Sequence, residues 1–376
     1  MVEPTLSSTP VAVTDLPDAV PARPTSRRAR AAAWLVRAVT VVVLAAVIDE
    51  AALRFTTLGP QRYETRRTEP ADKPLFAVDE VGHHDYLPGI RFAHVYDPRG
   101  DRRGYMGPLG RIEYRTNSLG IRGPEIDAAK PPGWLRILAL GDSCTFGEGV
   151  REEDAWPAVL ERRLADAPAA RVRVVNAGVQ AYHTMNEAVW LERRGLALRP
   201  DVVLLGFFLN DATETEAAVM REPFRALEAP RPWPARYSRL ADAVHLWRAQ
   251  RRLQREYFDA TRASFDSERW EMCRLTLKYL RDLGPKQGFR FGVLVFPILY
   301  WPGGRYPFDD LHARVVEFCR AERIPVLDLA GALRAHPHPA LWVHAADQHP
   351  NETAHRIIAE QTAPWLRRNG LLPEDP

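Results

Sequence analysis

The chain has 376 residues, 46% hydrophobic and 26% charged, with 51 Lys and Arg against 48 Asp and Glu and a formal net charge of +3. That length allows one large or two modest domains, and the composition supports a full core and excludes wholesale disorder. The near balance of charge gives no electrostatic case for a nucleic-acid partner, and three cysteines, a small odd number, exclude a disulfide framework.

Residues 1–30 begin with a stretch rich in Pro, Thr, Ser, Val and Ala that has no steady period, which predicts a disordered tail. The tail ends in Arg27-Arg28-Ala29-Arg30. Residues 31–48 are apolar except for Arg37 and Thr40. At ~1.5 Å rise per residue a helix over them is about 27 Å long, enough to cross a hydrocarbon core. Arg37 costs roughly 2.5–3.5 kcal/mol at mid-bilayer and less if it snorkels toward the basic end. The expected reading is a single-pass transmembrane signal-anchor, with the Arg cluster inside and the rest of the chain extracytoplasmic, in the periplasm or on an outer face. Two alternatives compete. A cleaved signal peptide lacks a small-x-small site after the run, where Ile48-Asp49-Glu50 stands, and a soluble amphipathic helix is the other option.

Residues 52–133 are irregular, with many Pro, Gly, Arg and aromatic residues, and predict a stalk and a small β-rich lead-in. Strand-like pieces fall at 89–95 and 111–114. From 134 to 370 the pattern alternates. Strands are expected at 135–140, 171–175, 201–208, 290–296 and 325–329, and helices at 155–164, 186–198, 270–283, 309–321 and 351–368. Five short apolar strands, each followed by a helix, predict an α/β fold: a flavodoxin-like, three-layer α/β/α sandwich on a five-stranded parallel sheet. Right-handed crossovers then gather the strand C-terminal ends along one edge, where active sites of such sheets lie. An insertion at 212–266 breaks the rhythm. It is charged and aromatic, shows a helical period over 238–255, and reads equally as a lid or as a structural helical cap.

Four stations on that edge carry chemistry. The first strand ends in Gly141-Asp142-Ser143, which presents a hydroxyl nucleophile at a strand end near backbone N–H groups. The second ends in Asn176-Ala177-Gly178, where the Gly178 N–H can reach the same point, although a glycine there also simply makes a turn. The third ends in Asn210-Asp211, with Asn210 as a polar donor and Asp211 as an N-cap. The last helix opens with Asp347-Gln348-His349-Pro350-Asn351, so His349 can take the serine proton while Asp347 holds its other nitrogen. His355 reads as packing or capping. His336 and His338 lack close acidic or Cys neighbours for a metal. Cys144 reads as a small buried residue at the turn. Cys273 and Cys319, in two helices beside one strand, are either isolated buried thiols or, in an exported domain, a pair.

These stations, Ser, Gly, Asn and His in that order, resemble the signature blocks of the SGNH (GDSL-like) hydrolases of the bacterial membrane-anchored type. The resemblance covers about 134–368 and reaches the lead-in Arg115-Thr116-Asn117-Ser118-Leu119-Gly120-Ile121-Arg122-Gly123. It implies Ser143 as nucleophile, His349 as general base and Asp347 as its acid. It implies an oxyanion hole from the Ser143 N–H, the Gly178 N–H and the Asn210 side chain. Two positions depart from the family pattern: Phe208 stands where a Gly is usual, and Asp347 lies two residues before the His instead of three. The implied activity is that of a serine esterase or deacylase acting on an acylated glycan, lipid or small ester, and its chemistry requires no metal or organic cofactor. An O-acyltransferase of envelope polysaccharide with the same triad, and a catalytically silent domain that binds glycan or a partner, are the alternatives.

Overall fold

The computed structural model describes residues 26–56, 63–69, 74–79, 83–101, 103–165, 171–212, 232–301 and 304–372. Of the expected tail over 1–30, residues 1–25 lie outside the described residues, as does part of the insertion, 213–231, while 27–30 already belong to a helix. The chain divides into two units, Met1–Ala51 and Ala52–Pro376.

Helix α1, Arg27–Phe55, is 29 residues long and buries none of them. It is longer than the expected apolar run because no Gly or Pro interrupts residues 27–55. It is long and apolar enough to cross a membrane.

The second unit begins with the lead-in strands β1 (Tyr63–Glu69), β2 (Phe76–Val78), β3 (His84–Tyr86), β4 (Arg91–Tyr96) and β5 (Arg111–Arg115). They form an antiparallel sheet of order β1-β4-β5 and a β2-β3 pair. The central sheet is parallel and has five strands: β6 (Leu135–Gly141), β7 (Val172–Gly178), β8 (Val202–Phe208), β9 (Arg290–Phe296) and β10 (Val326–Asp328). Its order is β10-β9-β8-β6-β7, the flavodoxin-like arrangement in which the strand order reverses between the first and third strands. Last come β11 (Trp342–His344) and β12 (Asp347–Pro350), an antiparallel pair.

Ten helices follow the described chain. They are α1, α2 (Ser143–Phe146), α3 (Trp156–Ala165), α4 (Thr184–Trp190), α5 (Trp233–Tyr237), α6 (Arg239–Phe265), α7 (Glu268–Gln287), α8 (Asp309–Ala321), α9 (Ala330–Arg334) and α10 (Glu352–Arg368). The helix expected at 186–198 starts earlier and changes pitch: α4 passes into a π turn at Leu191–Gly195 and a 3₁₀ turn at Leu196–Leu198.

Both faces of the central sheet are buried. Leu138, Leu140, Val203 and Leu205 join one apolar cluster, and Ile137, Ala139, Val202 and Leu204 join the other. Alternate side chains of a strand face opposite ways, so a sheet covered on both sides reads as an unbroken apolar run. That is why the strand positions were visible while their ends shifted by one to three residues: β7 continues through Asn176-Ala177-Gly178, whose polar and small residues the apolar pattern does not mark.

Candidate active site

The nucleophile turn starts at Gly141. Its φ of +152° and its contact with α2 exclude a side chain, since a Cβ there would meet Thr145 Oγ1 at 2.1 Å. Asp142 then caps α2 by accepting from the Cys144 N–H at 2.8 Å, and Gly147 closes it in the left-handed region. Ser143 is thereby held at the tip of β6, half-buried, between buried neighbours. Buried Arg122, from the lead-in, fixes the segment that follows. It donates to Phe146 O, to Gly147 O at 2.6 Å and to Val150 O at 2.6 Å, and its guanidinium lies 4.8–4.9 Å from the Phe146 and Tyr114 rings.

The acid–base pair comes from β12. Successive side chains of a strand alternate, so residues two apart share a face. This is why a two-residue spacing between Asp347 and His349 works here: the extended backbone aligns them. Asp347 Oδ1 accepts from His349 Nδ1 at 2.6 Å and from the His349 backbone N–H at 3.1 Å. His349 Nε2 lies 2.9 Å from Ser143 Oγ. Asn351 steadies the strand exit. Its side chain caps α10 by accepting from the Thr353 and Ala354 N–H groups, and it donates to Ala340 O and Trp342 O. The last helix therefore opens at Glu352, one residue later than expected.

Three flanking groups were not singled out from the sequence. Tyr96, at the end of β4, donates its hydroxyl to Asp347 Oδ2 at 2.7 Å. Glu148, 8% exposed, places Oε2 3.7 Å from His349 Nε2 and Oε1 3.6 Å from His94 Nδ1, and accepts from Gln180 Nε2 at 2.6 Å. Tyr86 in turn donates to Gln180 Oε1 at 2.7 Å. Only Glu148 left a sequence signal, an acid five residues after the serine; Tyr96 and Gln180 are brought in by long-range pairing.

Burial works against the charged imidazolium, but the Asp347 and Glu148 carboxylates outweigh it and raise His349 to about 10. Burial likewise opposes ionisation of Asp347, yet His349 and the Tyr96 hydroxyl hold its carboxyl well below the usual carboxylate range. His94 is lowered by its burial, against the pull of Glu148.

Gly178 gives its N–H to Asn176 Oδ1 at 3.1 Å. Its lack of a side chain is required for packing: a Cβ there would lie 2.2 Å from Phe146 N in α2. Three residues on, Ala181 sits at φ 61° beside Gln180. Among the described residues the Ser143 and Ala181 N–H groups have no acceptor. Asn210 is buried in the 3₁₀ turn Leu209–Ala212 after β8, and Gly141 and Gly206 are register partners, so Ser143 and Asn210 leave neighbouring strands at the same edge. Asp211 accepts from Thr184 Oγ1 at 3.0 Å.

Other expectations resolve simply. His355 Nδ1 accepts from the Trp156 N–H at 3.1 Å and so caps α3. His338 stacks on Trp301, with ring centroids 4.3 Å apart. Cys144, Cys273 and Cys319 are buried and form no disulfide. Among the described residues, the group of acidic and imidazole side chains close enough to share a metal ion is Glu148, Asp347 and His349, with donor atoms within 4.8 Å. Two of the three are already bonded to each other.

A nucleophile turn at the switch point of a flavodoxin-like sheet, facing a histidine from the last strand, defines a serine hydrolase of the SGNH class. The chain belongs to the GDSL-like lipase/acylhydrolase family, whose model matches residues 139–357. No curated protein sequence matches it. Among solved structures it is similar to TesA (17% identity, 62% of this chain and 99% of that chain, TM-score 0.40). It is also similar to the lipase/acylhydrolase from Enterococcus faecalis (18% identity, 64% and 100%, TM-score 0.38) and to the acetyl xylan esterase AlAXEase (14% identity, 61% and 98%, TM-score 0.38).

Proposed function

We propose that the protein is a membrane-anchored esterase or deacylase that works through an acyl-enzyme on Ser143. The observation that carries this reading is one continuous chain of hydrogen bonds, Ser143–His349–Asp347–Tyr96. Ser143 Oγ attacks the ester carbonyl and its proton passes to His349 Nε2. The C–O bond then breaks, and the proton goes from His349 to the departing alcohol. Water repeats the attack on the acyl-serine, gives its proton to His349, and releases the acid. Asp347 holds the tautomer and stabilises the imidazolium that forms twice per cycle. The Ser143 and Gly178 N–H groups and the Asn210 side chain are the proposed oxyanion donors, each contributing on the order of 2.7–4 kcal/mol to the transition state.

The segment 31–48 anchors the chain, and the Arg residues before it favour an orientation with residues 52–376 extracytoplasmic. On this reading the substrate is an acylated glycan, lipid or small ester of the envelope.

The test is labelling of the full chain with a fluorophosphonate, together with turnover of p-nitrophenyl acetate in the presence and absence of an alcohol acceptor. Labelling and release of free acid, both abolished in Ser143→Ala, are the expected results. A folded wild type that takes no label and turns over no ester sinks the proposal. Acyl transfer to the acceptor without free acid replaces hydrolysis with transferase chemistry.

A further inference from the structure

We propose that the exposed face of α5 and α6 docks on the headgroups of an anionic phospholipid bilayer. This goes beyond the esterase reading and rests on the anchoring one. Trp233 and Tyr237 are 73% and 70% exposed, and Trp247 is 53% exposed. Trp and Tyr pair an apolar ring with a polar tip and are favoured at membrane interfaces.

Along α6, Val244, Trp247, Arg248, Arg251 and Arg255 are all exposed and recur at helical spacing, so they share one face. The Arg251 guanidinium lies 4.5 Å from the Trp247 ring centroid. Residues 233–255 hold six arginines and one acid, Asp242, which is buried. Among the described residues no carboxylate pairs with Arg248, Arg251 or Arg255. Over 233–255 the face is one of cations and aromatics, with the exposed Asp259 one turn further on, and it complements an anionic leaflet.

Arg54, near the end of α1, donates from Nη2 to Tyr237 O at 3.0 Å. The helix α6 also packs on the turn Leu209–Ala212, which carries Asn210.

The test uses the full chain with a single NBD label at Val244→Cys, and a second labelled variant at Val42→Cys. The native thiols are buried, which keeps the labelling selective. Each is placed in nanodiscs of phosphatidylcholine, or of equal parts phosphatidylcholine and phosphatidylglycerol, and in detergent. The expected result is protection from iodide at 42 in both discs, and a blue shift with loss of quenching at 244 in phosphatidylglycerol discs. That protection should vanish when Arg248, Arg251 and Arg255 are all changed to Gln. Quenching at 244 with protection at 42 overturns the docking and leaves the anchor standing; quenching at both overturns both. Protection at 244 that is indifferent to phosphatidylglycerol, or that persists in detergent, assigns the face to protein contact and also overturns the proposal.

Discussion

Two of the chains of hydroxyl, imidazole and carboxylate among the described residues differ instructively. Ser143, His349 and Asp347 are joined at 2.9 and 2.6 Å; Tyr306, His312 and Asp328 are joined at 3.2 and 2.8 Å. By distance alone they are near equals, yet their surroundings differ. The Tyr306 phenol is buried and also accepts from the Ile298 N–H at 3.0 Å, while His312 is buried on α8. Every member is engaged, and the network ties α8 to the loop after β9. Ser143 and His349 are half-buried, and among the described residues the Ser143 N–H has no acceptor. What separates a site from a staple is unfilled hydrogen-bonding capacity facing a reachable space.

Changing the acid in each chain is the sharpest way to break this contrast. Asp347→Asn should lower kcat by about 10⁴-fold, because the imidazole loses its tautomer control and the imidazolium its partner. Asp328→Asn should leave kcat essentially intact and lower the melting temperature, at a cost of about 1–3 kcal/mol for the disturbed buried network. Comparable losses of activity in the two variants would erase the distinction.

The pH dependence of the two regions separates them further. With His349 raised to about 10, the free base needed for attack is scarce at neutral pH, so kcat/KM should climb on the alkaline side. Glu148→Gln removes one of the charges that raise His349 and should move that limb to lower pH; an unmoved limb means Glu148 does not act on the base. Stability runs the other way. A histidine whose folded pKa is raised contributes its stability fully below about 6.5, its ordinary value, and loses it as pH rises toward 10. Asp347, held low, contributes above the usual carboxylate range and loses its share as pH falls through its folded value. The gap in melting temperature between wild type and His349→Gln should therefore narrow as pH climbs.

The smallest expected effect concerns backbone strain. Ala181 holds a left-handed conformation that costs an L-residue about 1–2 kcal/mol, so Ala181→Gly should raise stability by at most that amount and keep activity. A clear fall in kcat would mean that the alanine methyl itself shapes the pocket.

Much of this was legible in the sequence, for definite reasons. Strands buried on both faces write apolar runs, and the Gly141 turn and Asn210 sit at their ends. The surroundings of Gly178 were not legible: its N–H meets Asn176 Oδ1, two residues earlier, through a side chain that no periodicity marks. Ala181 was hidden because a positive φ on alanine leaves no trace in composition. Tyr96 was equally hidden, since 251 residues separate it from the carboxylate it meets.

Tyr96 carries one more consequence. It lies upstream of the family match at 139–357, in a sheet whose strands belong to the lead-in. A recombination crossover anywhere between 97 and 134 would pass on nucleophile, base and acid together and still leave the acid without its second donor. The heritable module of this enzyme is therefore larger than its signature blocks, and the lead-in and the sheet are bound to travel as one.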